Sequence, residues 1–353
     1  MPRNDKAMVA ALRRAFEGSW ARRTAWAWLL WPLSLLYGVL VATRRRLYQA
    51  GIFRSGHVSV PVVVVGNVVA GGGGKTPMVL AIVRHLQARG LRVGVVSRGY
   101  GRRGTGCQEV LPHSIARDVG DEPLLISQAA GVAVFVAPRR ADAARALLHR
   151  HPGIDLLVCD DGLQHLALQR DMEICVFGEA GIGNGFLLPA GPLREPWPRP
   201  VDLVVADRRS GVKGGWVVRR SLTGLACQAD GTQLSLDTLR DIAATGTAGL
   251  WAVAGIARPQ LFFSMLRDAG LPLTRTIALS DHAPFDDPVW RDPATPMLLC
   301  TEKDAVKLWH YRPDAWAVPL QLELDDAFWA QFDQLLQACR DAKLSSAHGY
   351  KTA

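Results

Sequence analysis

The hydrophobic positions of this chain fall into short runs separated by longer periodic stretches. The runs at 61–66, 92–97, 132–136, 154–159, 172–177 and 201–206 are rich in apolar, β-branched residues and do not alternate with polar ones. Continuous runs of that length suit strands covered on both faces. Between several of them, 75–89, 122–130 and 138–150 have helical character. Strand and helix taking turns in this way predict a doubly wound α/β layer with a mainly parallel sheet. The stretch 178–200, "GEAGIGNGFLLPAGPLREPWPRP", is rich in Gly and Pro and too long for a plain connector, so it reads as a functional loop. Beyond it, 216–228 reads as a short hairpin. A second α/β unit then follows, with strands near 250–254, 275–279 and 297–300 and helices near 259–269 and 325–341. The expected division is an anchor over 1–50, a nucleotide-binding α/β domain over 51–214, a hairpin linker over 215–245, and a smaller α/β domain over 246–353 that completes a cleft.

One segment breaks this pattern. Residues 25–42, "AWAWLLWPLSLLYGVLVA", are eighteen residues without a charge, with three tryptophans and a tyrosine. As a helix they reach about 27 Å, barely the thickness of a bilayer core. Of the net charge of +9, eight units lie in residues 1–60, where Arg3, Lys6, Arg13, Arg14, Arg22, Arg23, Arg44, Arg45, Arg46 and Arg54 face only Asp5 and Glu17. The remaining chain is nearly neutral, which excludes nucleic-acid binding by a generally basic protein and points to anionic lipid. No small-residue cleavage site follows, so a signal peptide does not fit. Arginines on both sides weaken a spanning topology, and with the aromatic residues they favour a helix lying in the membrane interface. A single span and a buried soluble helix are the alternatives; in either membrane case the body of the protein is cytosolic. The six cysteines (Cys107, Cys159, Cys175, Cys227, Cys300, Cys339) lie far apart with no CxxC pair, and read as reduced core residues.

The chemistry begins at "VVVVGNVVAGGGGKTP", Val62 to Pro77, where a strand runs into a glycine-rich loop and then a helix. This is the setting of a P-loop: Gly71, Gly72, Gly73 and Gly74 let backbone N–H groups face phosphate, Lys75 reaches the β- and γ-phosphates, and the Thr76 hydroxyl holds Mg²⁺. Val69 stands where the strict motif has its first glycine. Ala70 stands where partition-type ATPases carry a further lysine. A second element, "IDLLVCDD", ends a strand in Asp160 and Asp161, which places carboxylates where Mg²⁺ would sit.

Four further stretches bear on what receives the phosphate. "SRGYGRRGTG", Ser97 to Gly106, offers Arg98, Tyr100 and Arg102 to an anionic group, or is a solvated loop. "DVGDEP" sets Asp121 and Glu122 at a helix start, where Asp121 accepts a hydroxyl proton or merely caps the helix. "SDHAPF" offers His282 beside Asp281 as a proton relay, or as a plain loop residue. "TEKDAVK", Thr301 to Lys307, is either a base-reading turn or a helix start capped by Thr301 with its lysines in solvent.

Taken in order, "VGN..AGGGGKTP", "SRGYG", "GDEP", "DDGLQH", "LPAGPLREP", "DH..F" and "TEKDAVK" resemble the tetraacyldisaccharide 4'-kinases, the lipid A 4'-kinases of Gram-negative bacteria. The matches extend from Gly66 to Lys307, behind a hydrophobic segment as in that family, whose loop also lacks the first glycine. The resemblance implies a P-loop NTPase-like fold and transfer of the ATP γ-phosphate to the 4'-hydroxyl of a tetraacyldisaccharide 1-phosphate, at the cytoplasmic face of the inner membrane. It implies that Lys75 binds phosphates within the loop Val69–Thr76, that Thr76 with Asp160 or Asp161 holds Mg²⁺, and that Asp121 paired with His282 activates the acceptor. The resemblance sets Gln164, His165 and Glu195 along the site, with Arg98, Tyr100 and Arg102 holding nucleotide or the acceptor phosphate. A membrane-bound P-loop switch that hydrolyses its nucleotide is the rival reading.

Overall fold

The computed structural model describes Gly18 and residues 20–245, 249–291 and 297–349. Arg3, Lys6, Arg13 and Arg14 of the basic cluster, with Asp5 and Glu17, lie outside the described residues. In chain order, the described residues from 20 onward form helix α1 (Ala25–Gln49), strand β1 (Val62–Gly66) and helix α2 (Lys75–Ala88). Then come β2 (Val93–Ser97), β3 (Gln108–Val110), α3 (Asp121–Ala130), β4 (Ala133–Val136), α4 (Arg140–Arg150), β5 (Leu156–Asp160), β6 (Met172–Phe177) and β7 (Leu203–Asp207). The C-terminal part holds β8 (Trp216–Leu222), β9 (Leu225–Cys227), β10 (Gln233–Ser235), α5 (Leu236–Thr245), β11 (Leu250–Ala254) and α6 (Pro259–Asp268). It ends with β12 (Leu273–Ala278), β13 (Met297–Thr301), α7 (Glu302–Leu308), β14 (Trp316–Val318), β15 (Leu320–Glu323) and α8 (Asp326–Gly349). The strands expected from apolar runs are present within two residues at each end, because runs such as Val62–Gly66, Val93–Ser97 and Leu156–Asp160 are buried at every position.

The chain folds as two compact units that do not follow its order: residues up to Lys75, Cys159–Val218 and Leu324 onward form one, and Thr76–Val158 with Arg219–Glu323 form the other. In the first unit β6 runs parallel to both β1 and β7, and the start of β8 runs parallel to β7. Helix α8 belongs here, with Phe328, Phe332 and Leu336 buried and Lys343 bridging to Asp171 and the Val58 carbonyl.

Helix α1 is also part of the first unit, and its two faces differ. Thr24 caps its N-terminus by accepting from the Ala27 amide. Ala27 and Ser34 are buried. The Ser34 hydroxyl donates to the Leu187 carbonyl at 2.8 Å and accepts from the Ala190 amide at 3.0 Å. Tyr37 donates to the Arg194 carbonyl at 2.9 Å. The Gly/Pro-rich loop thus serves as the seat of this helix. The other face leaves Trp26, Trp28, Leu29, Leu33, Leu36, Val39 and Leu40 exposed.

In the second unit β2 and β4 pair in parallel, β3 closes antiparallel on β4, and α4 packs over them. A Cβ at Gly94 would stand 2.6 Å from Leu147, so this glycine is what lets α4 approach β2. A separate six-stranded sheet, ordered β10-β9-β14-β13-β11-β12, has a core on each side. Ala252, Leu299 and Trp316 face Phe262, Phe263 and Leu266 of α6, while Val253, Leu298, Cys300 and Ala317 face Phe285, Trp290 and Leu308. Alternate residues of each strand serve opposite cores, as the pleat requires.

Two expectations fail here. The stretch 216–228 is not a hairpin: β8 pairs with β7 and β15, whereas β9 pairs with β10 and β14. Gly224 (φ 77°) turns the chain, but each strand finds its partner far away in sequence. Of the six cysteines, Cys159, Cys175 and Cys300 are core residues as expected, Cys227 and Cys339 are half-buried, and Cys107 is exposed.

Candidate active site

Lys75 is the last residue of the first unit, and its side chain is nearly buried. The loop before it is built on close backbone approach: a Cβ at Gly73 would meet the Asn67 amide nitrogen at 2.6 Å, and Gly71 and Gly74 have φ of 104° and 86°. Val69 bridges to Leu193, and the Ala70 amide donates to the Pro192 carbonyl at 2.7 Å. These two non-glycine positions tie the cradle to the "LPAGPLREP" segment.

The Lys75 ammonium lies 3.2 Å from Asp161 Oδ1. Arg194 donates to both oxygens of the same carboxylate, at 3.2 and 3.3 Å, and to Gln164 Oε1 at 3.3 Å. Gln164 in turn donates to Glu195 Oε1 at 2.7 Å and to the Asn67 carbonyl at 2.8 Å. His165 follows on the same turn, and its carbonyl accepts from Arg170. Asp161 therefore holds two cationic groups at once, and its backbone is left-handed (φ 47°). Its neighbour Asp160 is buried at the end of β5. Carboxylate oxygens that attract cations suit a hard ion such as Mg²⁺, which keeps much of its shell in water and phosphate oxygens. Among the described residues no group of three or more His, Cys, Asp or Glu is placed to hold a metal ion. A cleft of about 520 Å³ opens beside this network, lined among others by Tyr37, Arg44, Gln164, Arg170, Arg194 and Glu195.

Thr76 is buried at the start of α2 in the second unit. The same unit brings together Asp121 and His282, whose Nδ1 lies 3.0 Å from Asp121 Oδ2. Asp121 is the first residue of α3, but it is no cap: the cap position is Gly120, with no side-chain hydrogen bond. Two glycines make this local geometry possible. Gly120 (φ 97°) packs on Gly99 so closely that a Cβ would sit 3.1 Å from the Gly99 Cα, and a Cβ on Gly99 (φ 68°) would sit 2.7 Å from the Val119 carbonyl. "SRGYG" and "GDEP" are thus two halves of one backbone contact. It carries the Tyr100 ring to 5.6 Å from the His282 ring. Arg102 folds back on its own loop, donating to the Gly106 carbonyl at 2.5 Å, and Arg98 is exposed.

For the motif "TEKDAVK" the sequence left two readings open, a base-reading turn and a capped helix start with its lysines in solvent. Thr301 does cap α7, accepting from the Asp304 amide. Its lysines, however, do not stand free in solvent: the Lys307 side chain is 7% exposed and donates to Asp121 Oδ2 at 2.8 Å, and Lys303 is half-buried. Lys303 reaches Glu122 Oε1 at 3.2 Å, Asp281 Oδ1 at 3.3 Å and His282 Nε2 at 3.3 Å. The i, i+4 spacing that sets both ammonium groups on one face of α7 was visible in the sequence, but the carboxylates they meet come from remote segments. Asp304 anchors the arrangement by accepting from the Gly255 amide at 2.9 Å, while the Gly255 carbonyl accepts from the His282 amide at 3.1 Å. Burial pushes the Asp304 carboxyl above the usual range, against the hydrogen bonds from Thr301 and Gly255. For Asp121, burial also acts upward, but the His282 hydrogen bond and the Lys307 ammonium outweigh it and hold the carboxyl below the usual range. His282 itself has a left-handed backbone (φ 62°), an arrangement of order 1–3 kcal/mol that surrounding structure must impose.

The second unit thus holds an ionised carboxylate supported by a histidine, which is fit for proton transfer with a hydroxyl, and the first unit holds a phosphate cradle with its lysine. Comparison with known proteins gives the same class. Residues 26–337 match the family model described as tetraacyldisaccharide-1-P 4'-kinase. A tetraacyldisaccharide 4'-kinase of Acidovorax sp. (strain JS42) is 55% identical over 339 residues, covering 95% of this chain and 96% of the relative. One of Polaromonas naphthalenivorans is 49% identical over 349 residues, covering 97% and 100%. Among solved structures, the "apo" form of LpxK from Aquifex aeolicus in complex with ATP superposes with a TM-score of 0.76 at 26% identity, covering 89% of this chain and 99% of that one. The fold is thus that of a P-loop kinase with a large, mainly parallel mixed sheet, and the chain belongs to the tetraacyldisaccharide 4'-kinase family.

Proposed function

We propose that this protein is an ATP-dependent lipid kinase that transfers the γ-phosphate to the 4'-hydroxyl of a tetraacyldisaccharide 1-phosphate, giving lipid IVA in lipid A biosynthesis. The observation that carries this reading beyond family membership is the half-buried, ionised Asp121 held by His282. In phosphoryl transfer the protein mainly positions and stabilises charge, and such a carboxylate orients and deprotonates an acceptor hydroxyl. In this reading Lys75 and the loop Val69–Gly74 take the phosphates, and Thr76 with Asp160 or Asp161 ligates Mg²⁺. When bound, the ion would offset phosphate charge. Gln164, His165 and Glu195 line the site, and Arg98, Tyr100 and Arg102 contact nucleotide or acceptor.

The acceptor is a lipid, and α1 offers a way to meet it. A helix with Ser34 and Tyr37 bonded to the protein body at mid-length is docked along one side, so it lies in the interface with its exposed apolar face toward acyl chains. Arg44, Arg170 and Arg194 line the adjacent cleft and suit an anionic headgroup. This reading puts the protein on the cytoplasmic face of the inner membrane, with 1–50 as the anchor and 51–214 binding nucleotide.

The test uses purified full-length protein in detergent with γ-labelled ATP, Mg²⁺ and tetraacyldisaccharide 1-phosphate. Label is expected in the lipid, and Lys75→Ala should abolish it while leaving the protein folded by circular dichroism. Label released only as free phosphate would sink the kinase and favour a hydrolytic switch.

A further inference from the structure

Helix α1 has two kinds of surface, and only one of them suits a membrane. Its exposed side is apolar, but the side against the protein carries Ser34, Tyr37 and Gly38, at the i, i+3 and i+4 spacing of one helix face. A Cβ added to Gly38 would stand 2.9 Å from the Leu187 side chain, so helix and loop are in close contact there. Attachment to lipid does not call for this side: an interfacial anchor needs apolar area and basic flanks.

The polar side leads to the phosphate loop. Arg194 is held at three points. Its amide donates to the Val68 carbonyl at 2.7 Å, its carbonyl accepts from the Tyr37 hydroxyl at 2.9 Å, and its guanidinium holds Asp161 and Gln164. The Ala70 amide donates to the Pro192 carbonyl, and Val69 bridges antiparallel to Leu193. Residues 68–70 therefore lie along 192–194, and they run straight into the glycines and Lys75, whose ammonium shares Asp161 with Arg194. At the far end of the same segment the Ser34 hydroxyl holds the Leu187 carbonyl and the Ala190 amide, and Trp20 Nε1 donates to the Pro189 carbonyl at 3.1 Å. One stretch of chain, 187–194, thus carries α1 on one side and the start of the cradle on the other. Burial holds the Tyr37 hydroxyl above its usual range, against the Arg194 charge, so it stays a donor.

We infer that Tyr37, supported by Ser34, is a positioning residue for the nucleotide: through the Arg194 carbonyl, α1 holds the start of the phosphate loop and the cations around Asp161 in register for the triphosphate. The inference rests on the kinase reading. It gives α1 two separable tasks, contact with lipid through its exposed face and support of the cradle through its polar one. Tyr37 suits the second task because an aromatic ring has few rotamers to lose and carries its donor at a fixed reach.

The experiment titrates full-length protein in detergent micelles with a non-hydrolysable ATP analogue and Mg²⁺ by calorimetry. Wild type is compared with Tyr37→Phe, with Ser34→Ala, and with Leu33, Leu36 and Leu40 replaced together by serine. Vesicle flotation, the KM for tetraacyldisaccharide 1-phosphate and hydrogen exchange over residues 67–75 are read alongside. Tyr37→Phe removes one hydrogen bond and keeps the ring, so analogue affinity should fall about three- to tenfold. Exchange over 67–75 should quicken, while flotation and the acceptor KM stay within about twofold of wild type. Ser34→Ala should move the same readouts in the same direction. The triple serine variant should lose flotation and keep the wild-type analogue affinity. An analogue affinity unchanged in Tyr37→Phe, whatever its melting temperature, reduces Tyr37 to helix packing and overturns the inference. So does an equal loss of affinity in the triple serine variant, since membrane contact would then be the cause. If Ser34→Ala does not fold, Tyr37→Phe decides alone. Failure of the kinase reading looks different: wild type would bind the analogue yet put no label from ATP into lipid.

Discussion

Asp121 illustrates how a single residue gains its properties from its surroundings. Buried alone, its carboxyl would favour the protonated form; with a histidine N–H and an ammonium on one oxygen, the charged form wins. The sign follows for stability. A depressed folded-state pKa contributes stability that is present above the unfolded value of about 3.9 and is lost as pH falls through the lower folded value. The Asp121 side-chain carbon, followed by carbon NMR, should therefore titrate below about 3.9. A midpoint above that would mean burial dominates and the lysine and histidine do little. At the nucleotide end, Lys75→Ala should leave thermal stability without ligand close to wild type, because the Asp161 carboxylate keeps Arg194. Residue by residue, the sequence made Lys75, Asp121 and His282 candidates through their motifs. It left Lys303 and Lys307 open between a base-reading turn and a solvated helix face, because solvation is not a property of a motif but of what folds over it.

At the scale of elements, α1 and α7 are the informative pair. Both are helices whose pattern reads one way in isolation and another in place. The charge-free run of α1 reads as a membrane segment, yet Ser34 and Tyr37 fasten one side to the 184–195 loop. Ser34→Val should cost about 1–3 kcal/mol in chemical denaturation, since it strands a buried amide and carbonyl. Replacing Leu33, Leu36 and Leu40 by serine should instead spare stability and weaken flotation with anionic vesicles. Unchanged flotation would show that this face does not meet lipid. In α7 the cap by Thr301 followed from local chemistry, whereas burial of its lysine face did not. The 216–228 segment fails as a hairpin for a related reason. Two strands and a glycine turn satisfy a local rule, but partners elsewhere in the chain offer more pairing.

For the whole molecule, the two units interleave in sequence, and their boundary falls between Lys75 and Thr76 inside the phosphate motif. A ligand that binds only the folded state should register as added stability. Mg-ATP at about a hundredfold over its Kd should add roughly 2.7 kcal/mol to unfolding, seen as a higher Tm, and Lys75→Ala should lose most of that increment. An equal increment in the variant would remove Lys75 from phosphate binding. The two-sided core of the six-stranded sheet makes a separate prediction. Phe263→Ala, at a fully buried position, should cost about 3–5 kcal/mol, with soluble expression falling accordingly.

The sequence by itself determined the strand and helix alternation, the phosphate loop, the apolar segment with its basic flanks, and the ordered motifs that resemble lipid A 4'-kinases. These are local in the chain: β-branched runs buried on both faces, glycines where backbone must approach, and residue types at fixed spacing. Only the tertiary structure decided which remote groups meet. The contact of Gly99 with Gly120, the seat of α1 on the 184–195 loop, and the two lysines of α7 on Asp121 and His282 all join segments far apart in sequence. Such contacts depend on where the sheets carry each loop, and the charge state of Asp121 depends on those contacts in turn. Spacing along a chain fixes neighbours within a few residues, whereas the field at a buried carboxylate is set by everything packed around it.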